Sequence, residues 1–182
     1  WDAVTELVVH WMMYGSSGHR TDPPGLVIQA YTHRAAEAHP VIKTIAQPAR
    51  IRRVWAHNHE YQEGWDAVTE SMRRVPFNHS SGEPESAMHP PSAHLIRINH
   101  YRTKSLAHAR WRYVRDSTFR LNDFENEDVF PETEEAHEEW IARWDTNDVE
   151  DTSAQVYAAC VLEGMSQRPP DGEVEGSREQ EL

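Results

Sequence analysis

The chain has 182 residues, which is enough for one domain with a hydrophobic core. Its single cysteine, Cys160, excludes an internal disulfide framework, and no apolar run approaches the roughly 18 residues that a membrane span requires. Residues 123–182 carry 19 acidic and 3 basic side chains, whereas residues 1–122 carry 15 basic and 11 acidic ones. Because the net charge is −12, we expect the chain to repel nucleic acid.

The first half of the chain alternates apolar stretches with turn-forming ones. Residues 7–14 form a continuous apolar run with β-branched and aromatic side chains, which is typical of a buried strand. Glycine, serine and proline between residues 15 and 25 predict turns, and residues 26–36 are predicted to form a short helix. Residues 41–46 and 51–61 are predicted to be two further extended segments.

The middle of the chain predicts a loop, a strand and a helix. Residues 76–92 hold four prolines and few apolar side chains, which favours a long loop. A strand is predicted over residues 95–101, where the alternate residues Ile98 and His100 share one face. A helix should follow this strand, with Ser105 as its N-cap.

Two more helices are predicted in the acidic C-terminal third. The first has its apolar stripe within residues 131–144. The second spans about residues 152–163, with Asp151 or Thr152 as its cap and Gly164 at its end.

The predicted domain comprises residues 1–164. Residues 165–182 are charged and nearly devoid of apolar side chains, so we expect a disordered acidic tail. Strands come first along the chain and helices follow, an order that favours the α/β class, with an α+β arrangement as the alternative.

Two histidines lie close together in the third extended segment. His57 and His59 fall on one face if this segment is a strand, which is a workable spacing for metal ligands, and Glu63 follows four residues later. The string H-x-H-x-x-x-E resembles the first cupin motif, although the glycines that flank that motif are absent. Packed or surface histidines are the alternative interpretation.

His100 is the more informative histidine. It shares a strand face with Ile96 and Ile98 and lies at the carboxyl end of the predicted strand. Ligands of open α/β sheets bind just outside that end, so a neutral imidazole there predicts a metal ligand. A hydrogen-bonded histidine at a strand end is the alternative.

A loop of small residues follows the first strand. Its backbone N–H groups are candidates to approach a substrate, with an ordinary tight turn as the alternative; it comprises Gly15, Ser16, Ser17, Gly18 and His19. Lys43 lies within an otherwise apolar strand, where it either reaches solvent or meets an anion.

Four strings in the chain together resemble one known group of enzymes. They occupy residues 11–19, 41–45, 98–105 and 147–153. They are similar to the strings W-x-x-F-G-S-S-G-H, V-K-S-I, I-N-H-Y-x-T-K-S and N-E-V-E-D-T-S of the family 2 and family 92-like glycosyltransferases. Their order and rough spacing agree, so that the resemblance covers about residues 3–163. Tyr14 stands where that family has phenylalanine.

The resemblance implies a GT-A fold, which is a Rossmann-like sheet that binds a nucleotide-sugar donor. In that family the donor half and an acidic D-x-D motif come first, and no such motif precedes the first string here. The expected fold is therefore α/β, a partial GT-A sheet followed by C-terminal helices. The chain would be the acceptor-side part of a longer enzyme, incomplete as a catalyst by itself.

The resemblance also assigns roles to residues. His100 matches the C-terminal histidine that completes the metal site in many GT-A enzymes, where Mn²⁺ or Mg²⁺ neutralises the leaving diphosphate. Substrate binding is expected from the residues of the small loop and from three cations, namely Lys43, Arg102 and Lys104. His19 is the candidate catalytic base by its position in the loop.

The expected function is transfer of a sugar from a nucleotide-sugar donor to a glycan or cell-envelope acceptor, assisted by a divalent metal. The expected location is the cytoplasm, with membrane association as a variant. One alternative is a cupin-like metal protein that uses His57, His59 and Glu63. Another is a non-catalytic binding or scaffold fragment.

Overall fold

The structure is a computed structural model that describes residues 4–54, 57, 59–62, 66–75, 77–78, 83–84, 90–115, 138–139 and 141–166. Most of the predicted loop over residues 76–92, the first part of the helix predicted near residue 131, Glu63 and residues 167–182 lie outside the described residues.

One long strand organises the fold. Strand β1 (Val4–Tyr14) is buried at every position except Leu7 and Trp11, which are half-buried. Apolar and β-branched side chains on both faces favour a central strand that is covered from both sides. The predicted strand over residues 7–14 is confirmed, and it begins three residues earlier than predicted.

Strand β1 is paired along both of its edges. On one edge it pairs parallel with β6 (Asp66–Thr69) and β10 (Ile98–Tyr101). On the other edge it pairs antiparallel with β3 (His39–Ala46) and β2 (His33–Arg34).

Two short strands complete a seven-stranded mixed sheet. Strand β7 (Arg74–Val75) pairs with β6, and β11 (Val149–Glu150) pairs with β2. The register sets Met13 of β1 opposite His100 of β10. The α/β class is confirmed, and the sheet combines parallel with antiparallel neighbours.

A smaller ladder lies beside the main sheet. Strands β4 (Ile51–Val54) and β5 (His59–Tyr61) pair antiparallel, so the extended segment predicted over residues 51–61 forms two strands. Tyr61 of β5 packs into a buried cluster with side chains of the main sheet, which are Val8, Ile42, Ala67 and Val75. Strands β8 (Phe77–Asn78) and β9 (Glu83–Pro84) form a separate pair.

Strand β10 begins three residues later than predicted. The carboxylate of Glu70 accepts hydrogen bonds from the backbone N–H groups of His94, Leu95 and Ile96 at 2.7–3.1 Å. These bonds hold the segment in bends rather than along the sheet. Leu95 is consequently 78% exposed.

The helices are short. Helix α1 (Val27–Ala30) is a single turn, so the helix predicted over residues 26–36 is wrong beyond it, since its second half enters β2. Helix α2 (Leu106–Arg115) begins after Ser105, whose Oγ accepts the N–H of His108 at 3.0 Å, which confirms the predicted N-cap.

The last helix differs from its prediction. A 3₁₀ turn (Ser153–Tyr157) leads into helix α3 (Ala158–Ser166), which continues through Gly164, so the predicted end at that glycine is wrong. Cys160 on α3 is exposed rather than part of the core. Among the described residues, no helix has the length and apolar character needed to cross a bilayer.

Candidate functional site

Four aromatic rings meet where the carboxyl half of β1 lies beside β10 and the start of β3. The Trp11 indole stacks on the His100 imidazole, with ring centroids 4.2 Å apart and ring planes at 6°. His39 stacks on Trp11 with centroids 6.2 Å apart, and His57 is tilted against Trp11 at 5.5 Å. We call these four rings the histidine stack.

His100 is electrically neutral in this environment. Burial first, and then the charges of Arg102 and Arg112, which repel a protonated ring, lower its pKa to about 4. Its Nδ1 is buried without a hydrogen-bond partner in the described part of the chain. A neutral imidazole is the form that binds a metal ion or accepts a proton.

The predicted cation Arg102 lies beside the stack. Its guanidinium group covers the ring of Trp144 at 4.0 Å from the centroid, a cation–π contact that fixes its position. The charge of Arg102 also contributes, after burial, to a lowered pKa for His39. A positive charge is therefore held close to two of the imidazoles.

The two predicted lysines occupy different places. Lys43 lies on β3 opposite Val9 of β1 and is exposed, so it reaches solvent rather than the sheet interior. Lys104 adopts a positive φ of 53° in the turn between β10 and α2. Its charge acts on His108, where burial first and Lys104 second lower the pKa of the ring.

His57 and His59 contact different partners. Nδ1 of His57 lies 3.1 Å from a backbone carbonyl oxygen of β3. Nδ1 of His59 lies 2.9 Å from Thr44 Oγ1 and 3.5 Å from the Glu6 carboxylate. Across the residues that the structure describes, no three His, Cys, Asp or Glu side chains are grouped to hold a metal ion, and Glu63 is outside that set.

The small loop after β1 is held by a second segment of the chain. The backbone N–H and the hydroxyl of Ser16 both donate to the Asp145 carboxylate, and the N–H of Ser17 donates to Asn147 Oδ1 at 2.8 Å. A Cβ atom at Gly15 would collide with the carbonyl oxygen of Thr146 and with Asn147, which explains the glycine. The N–H groups of Ser16 and Ser17 are thus not open to a substrate.

The remaining members of the loop also bond within the protein. Oγ of Ser17 accepts the N–H groups of Thr32 and His33, each at 2.9 Å, and the N–H of Gly18 donates to Ser16 Oγ at 3.1 Å. The expectation of free backbone donors is not met at these positions, because the loop uses them to join β1 to β2.

His19 faces helix α1. Its Nε2 lies 3.0 Å from the carbonyl oxygen of Ala30, and its ring meets the edge of Tyr31 with centroids 5.6 Å apart. Since a carbonyl only accepts, Nε2 carries the proton, and Nδ1 holds the lone pair of the neutral ring. That lone pair is what the predicted base would use.

A second cluster joins three distant segments by charge. Asp151 Oδ2 accepts from Arg34 Nε at 2.7 Å and from Arg97 Nη2 at 2.6 Å, and all three side chains are largely buried. Arg97 Nη2 also lies 3.2 Å from Tyr14 Oη and 3.0 Å from Ser153 Oγ. We call Arg34, Arg97 and Asp151 the ionic triad.

The triad fixes the protonation of its members. Burial opposes the charge of Asp151, but hydrogen bonds from Ser153, Arg34 and Arg97 outweigh it and hold the pKa of the carboxyl well below its usual range. Burial raises the pKa of Tyr14 to about 12. Asp151 is therefore a permanent anion that orients two arginines, and it is a poor proton acceptor near neutral pH.

Sequence reasoning did not identify the triad. Asp151 was predicted to cap the last helix, and its Oδ1 does accept the N–H of Ser153 at 3.0 Å. Its other oxygen binds arginines 117 and 54 residues away, which no local pattern reveals. Trp11 and His39 were likewise missed as partners of His100.

Comparisons with known proteins give no relative for this site. No family model, no curated protein and no solved structure matches the chain.

Proposed function

We propose that the chain is the acceptor-side part of a metal-assisted glycosyltransferase that uses a nucleotide-sugar donor and a glycan or cell-envelope acceptor. The observation that carries this proposal is His100. A neutral imidazole with a buried, unpartnered nitrogen lies at the carboxyl end of β10, stacked on Trp11. The carboxyl end of a parallel strand is where α/β sheets bind ligands, and the partial GT-A architecture belongs to the same proposal.

The surroundings of His100 fit the leaving group of such a donor. Arg102 and Arg112 both act on His100 through their charges, so a diphosphate beside the ring would meet positive potential. This supports the assignment of Arg102 as a diphosphate-binding residue. Lys43 and Lys104 keep the substrate-binding role proposed from the sequence strings.

The metal ion would be held in part by this chain. His100 supplies one nitrogen ligand of the type that divalent metals accept. Further oxygen ligands would come from the donor diphosphate. A bound Mn²⁺ or Mg²⁺ would neutralise negative charge on the leaving diphosphate.

The acceptor hydroxyl needs a base. His19 remains the proposed one, because its Nδ1 carries the lone pair when Nε2 donates to Ala30. The loop that contains His19 is fixed by Asp145 and Asn147, so the ring is positioned rather than mobile. The proposed location of the protein is the cytoplasm, with association of the protein with a membrane as a variant.

The test compares two histidine variants in the protein as its gene encodes it. Release of nucleoside diphosphate from a panel of nucleotide sugars is measured with Mn²⁺ present. His100→Ala should reduce turnover by roughly a hundredfold or more, since loss of a metal ligand removes several kcal/mol of transition-state stabilisation. His59→Ala is the matched control and should stay within a few-fold of wild type.

Two results would decide against the proposal. Near-normal turnover of His100→Ala would show that the ring has no part in the reaction. Binding of Mn²⁺ and nucleoside diphosphate without turnover in any donor would instead identify a non-catalytic binding module. The cupin-like alternative requires His57 and His59 to bind the same metal ion. The two rings have separate hydrogen-bond partners, which give this alternative no support.

A further inference from the structure

A cleft lies beside the ionic triad, two of whose residues, Arg97 and Asp151, line it. It has a volume of about 730 Å³, which is within the range of sites that bind small organic ligands. Asn99 and Tyr101 of β10 line it. Because side chains alternate along a strand, these residues face away from His100, so the cleft lies on the opposite face of β10 from the histidine stack.

The ionic triad carries one more positive than negative charge, and its member Arg97 brings part of that charge into the lining of the cleft. Two guanidinium groups, Arg34 and Arg97, share the single carboxylate of Asp151. Arg97 uses Nε for Asn99 at 2.9 Å and Nη2 for the triad, while its Nη1 has no hydrogen-bond acceptor in the described ranges. Arg97 therefore retains a charged donor pair, and its side chain is 21% exposed.

The rim of the same cleft is apolar. The lining includes Leu95 and Ile96, which Glu70 holds out of the sheet, and Tyr157 and Val161 of the C-terminal helical segment. Leu95 is 78% and Tyr157 64% exposed. Exposed apolar side chains grouped at one cleft mark a binding surface more often than scattered ones do.

We propose that this cleft binds an amphiphilic anion, a molecule that joins a carboxylate or phosphate group to an apolar portion. The anionic group accepts from Arg97 Nη1, a charge-assisted hydrogen bond in a partly buried site. The apolar portion packs on Leu95, Ile96 and Tyr157. Within the proposed transferase function, this ligand is the sugar acceptor. That role rests on the proposed function, whereas binding of the ligand to the cleft does not.

The two sources of such chemistry are an acidic sugar glycoside and a lipid phosphate. Binding to the full chain is measured by titration calorimetry with three probes: 4-nitrophenyl β-glucuronide, 4-nitrophenyl β-glucoside and n-octyl phosphate. The glucuronide differs from the glucoside only by its carboxylate. At least one charged probe should bind at least about tenfold more tightly than the glucoside. The charged probe that binds more tightly shows whether the ligand is an acidic glycoside or a lipid phosphate.

Variants connect that preference to the cleft. Arg97→Gln should abolish the preference for charge, whereas Arg52→Gln, which changes an exposed arginine on β4, should preserve it. Because Arg97 also supports the triad, Tyr157→Ser provides a second variant at an exposed position and should weaken all three probes about equally.

Opposite results would overturn the proposal. Equal affinity for glucuronide, octyl phosphate and glucoside would show that the ligand need not be an anion. An Arg97→Gln protein that keeps the charge preference would show that the anion does not bind in this cleft. If no nucleotide-sugar donor is turned over but the protein still prefers the charged probes, the transferase function is contradicted and the binding site is still supported.

Discussion

The sites on the two faces of strand β10 differ in whether their buried ionisable groups are charged. On one face, no carboxylate among the described residues is paired with a ring of the histidine stack, and burial keeps His100 neutral. On the other face, the ionic triad has paired charges, and its hydrogen bonds keep Asp151 ionised. The same sheet therefore holds a neutral imidazole on one side and a cluster of fixed, paired charges on the other.

This difference has a simple physical origin. A lone ionisable group loses its charge when water is removed, whereas a group that is paired and hydrogen-bonded keeps it. His100 is surrounded by an indole, other imidazoles and guanidinium groups whose positive charge opposes its protonation. Asp151 is surrounded by donors. The two sites should consequently respond to mutation and to acid in different ways.

The largest expected effect comes from removing the charge that the triad shares. Asp151→Asn leaves Arg34 and Arg97 largely buried without their anion, so the free energy of unfolding at pH 7 should fall by about 3 kcal/mol. Urea denaturation checks this value. Asp148→Asn is the matched control, since Asp148 is exposed and, among the described residues, accepts only the N–H of Ala36.

The pH dependence of Asp151 has a definite sign. Its pKa in the folded protein lies below the unfolded value near 3.8. The stabilisation is thus complete above pH 4 and is lost as the pH falls toward the folded pKa. The difference between wild type and Asp151→Asn should shrink below pH 4. A difference that stays constant down to pH 2 would contradict the paired state of this carboxyl.

The histidine stack should be sensitive to milder acid. The unfolded His100 gains its proton near pH 6.5 and the folded one only near pH 4, so stability falls as the pH decreases between these values. After allowance for solvent contact, we expect this loss to be about 1–2 kcal/mol.

The variant His100→Gln isolates this contribution. Glutamine does not titrate, so the variant should lose less stability between pH 6.5 and pH 4 than wild type does. His94→Gln, at an exposed histidine of the cleft, provides the comparison for loss of a histidine elsewhere. If His100→Gln and wild type lose equal stability over this interval, the ring is not held neutral by the fold.

Much of the strand framework was predictable because it depends on local pattern. The apolar run of β1, the segment 41–46 and the Ser105 cap are properties of neighbouring residues, and all three are confirmed. The position of His100 at a strand end was predictable for the same reason. The late start of β10 was not, since it depends on Glu70, which is more than 20 residues away.

The candidate sites divide along the same line. The stacking of Trp11 on His100 requires two strands that are separated by more than 80 residues to be parallel neighbours in one register. The ionic triad requires three segments to meet. A single sequence gives the residue types at these positions but not their pairing, so both partner sets had to come from the fold.

The smallest expected effect concerns Tyr14, the last residue of β1, which contacts Tyr101 and Arg97 on the cleft side of β10. Its hydroxyl is one of several acceptors for Arg97 Nη2, at 3.2 Å, while Asp151 and Ser153 lie closer. Tyr14→Phe keeps the buried ring, which packs on Tyr101 with centroids 4.7 Å apart. The cost should be about 0.5–1.5 kcal/mol at pH 7, the net value of one hydrogen bond.

Tyr14→Phe should leave the charge and position of Arg97 in the cleft unchanged, because Asp151 still orients both arginines. Tyr14→Phe should therefore retain the preference for the anionic probe over the neutral glucoside, measured by the same calorimetric titration. A loss above 3 kcal/mol in Tyr14→Phe would mean that the hydroxyl, rather than Asp151, holds Arg97 in place.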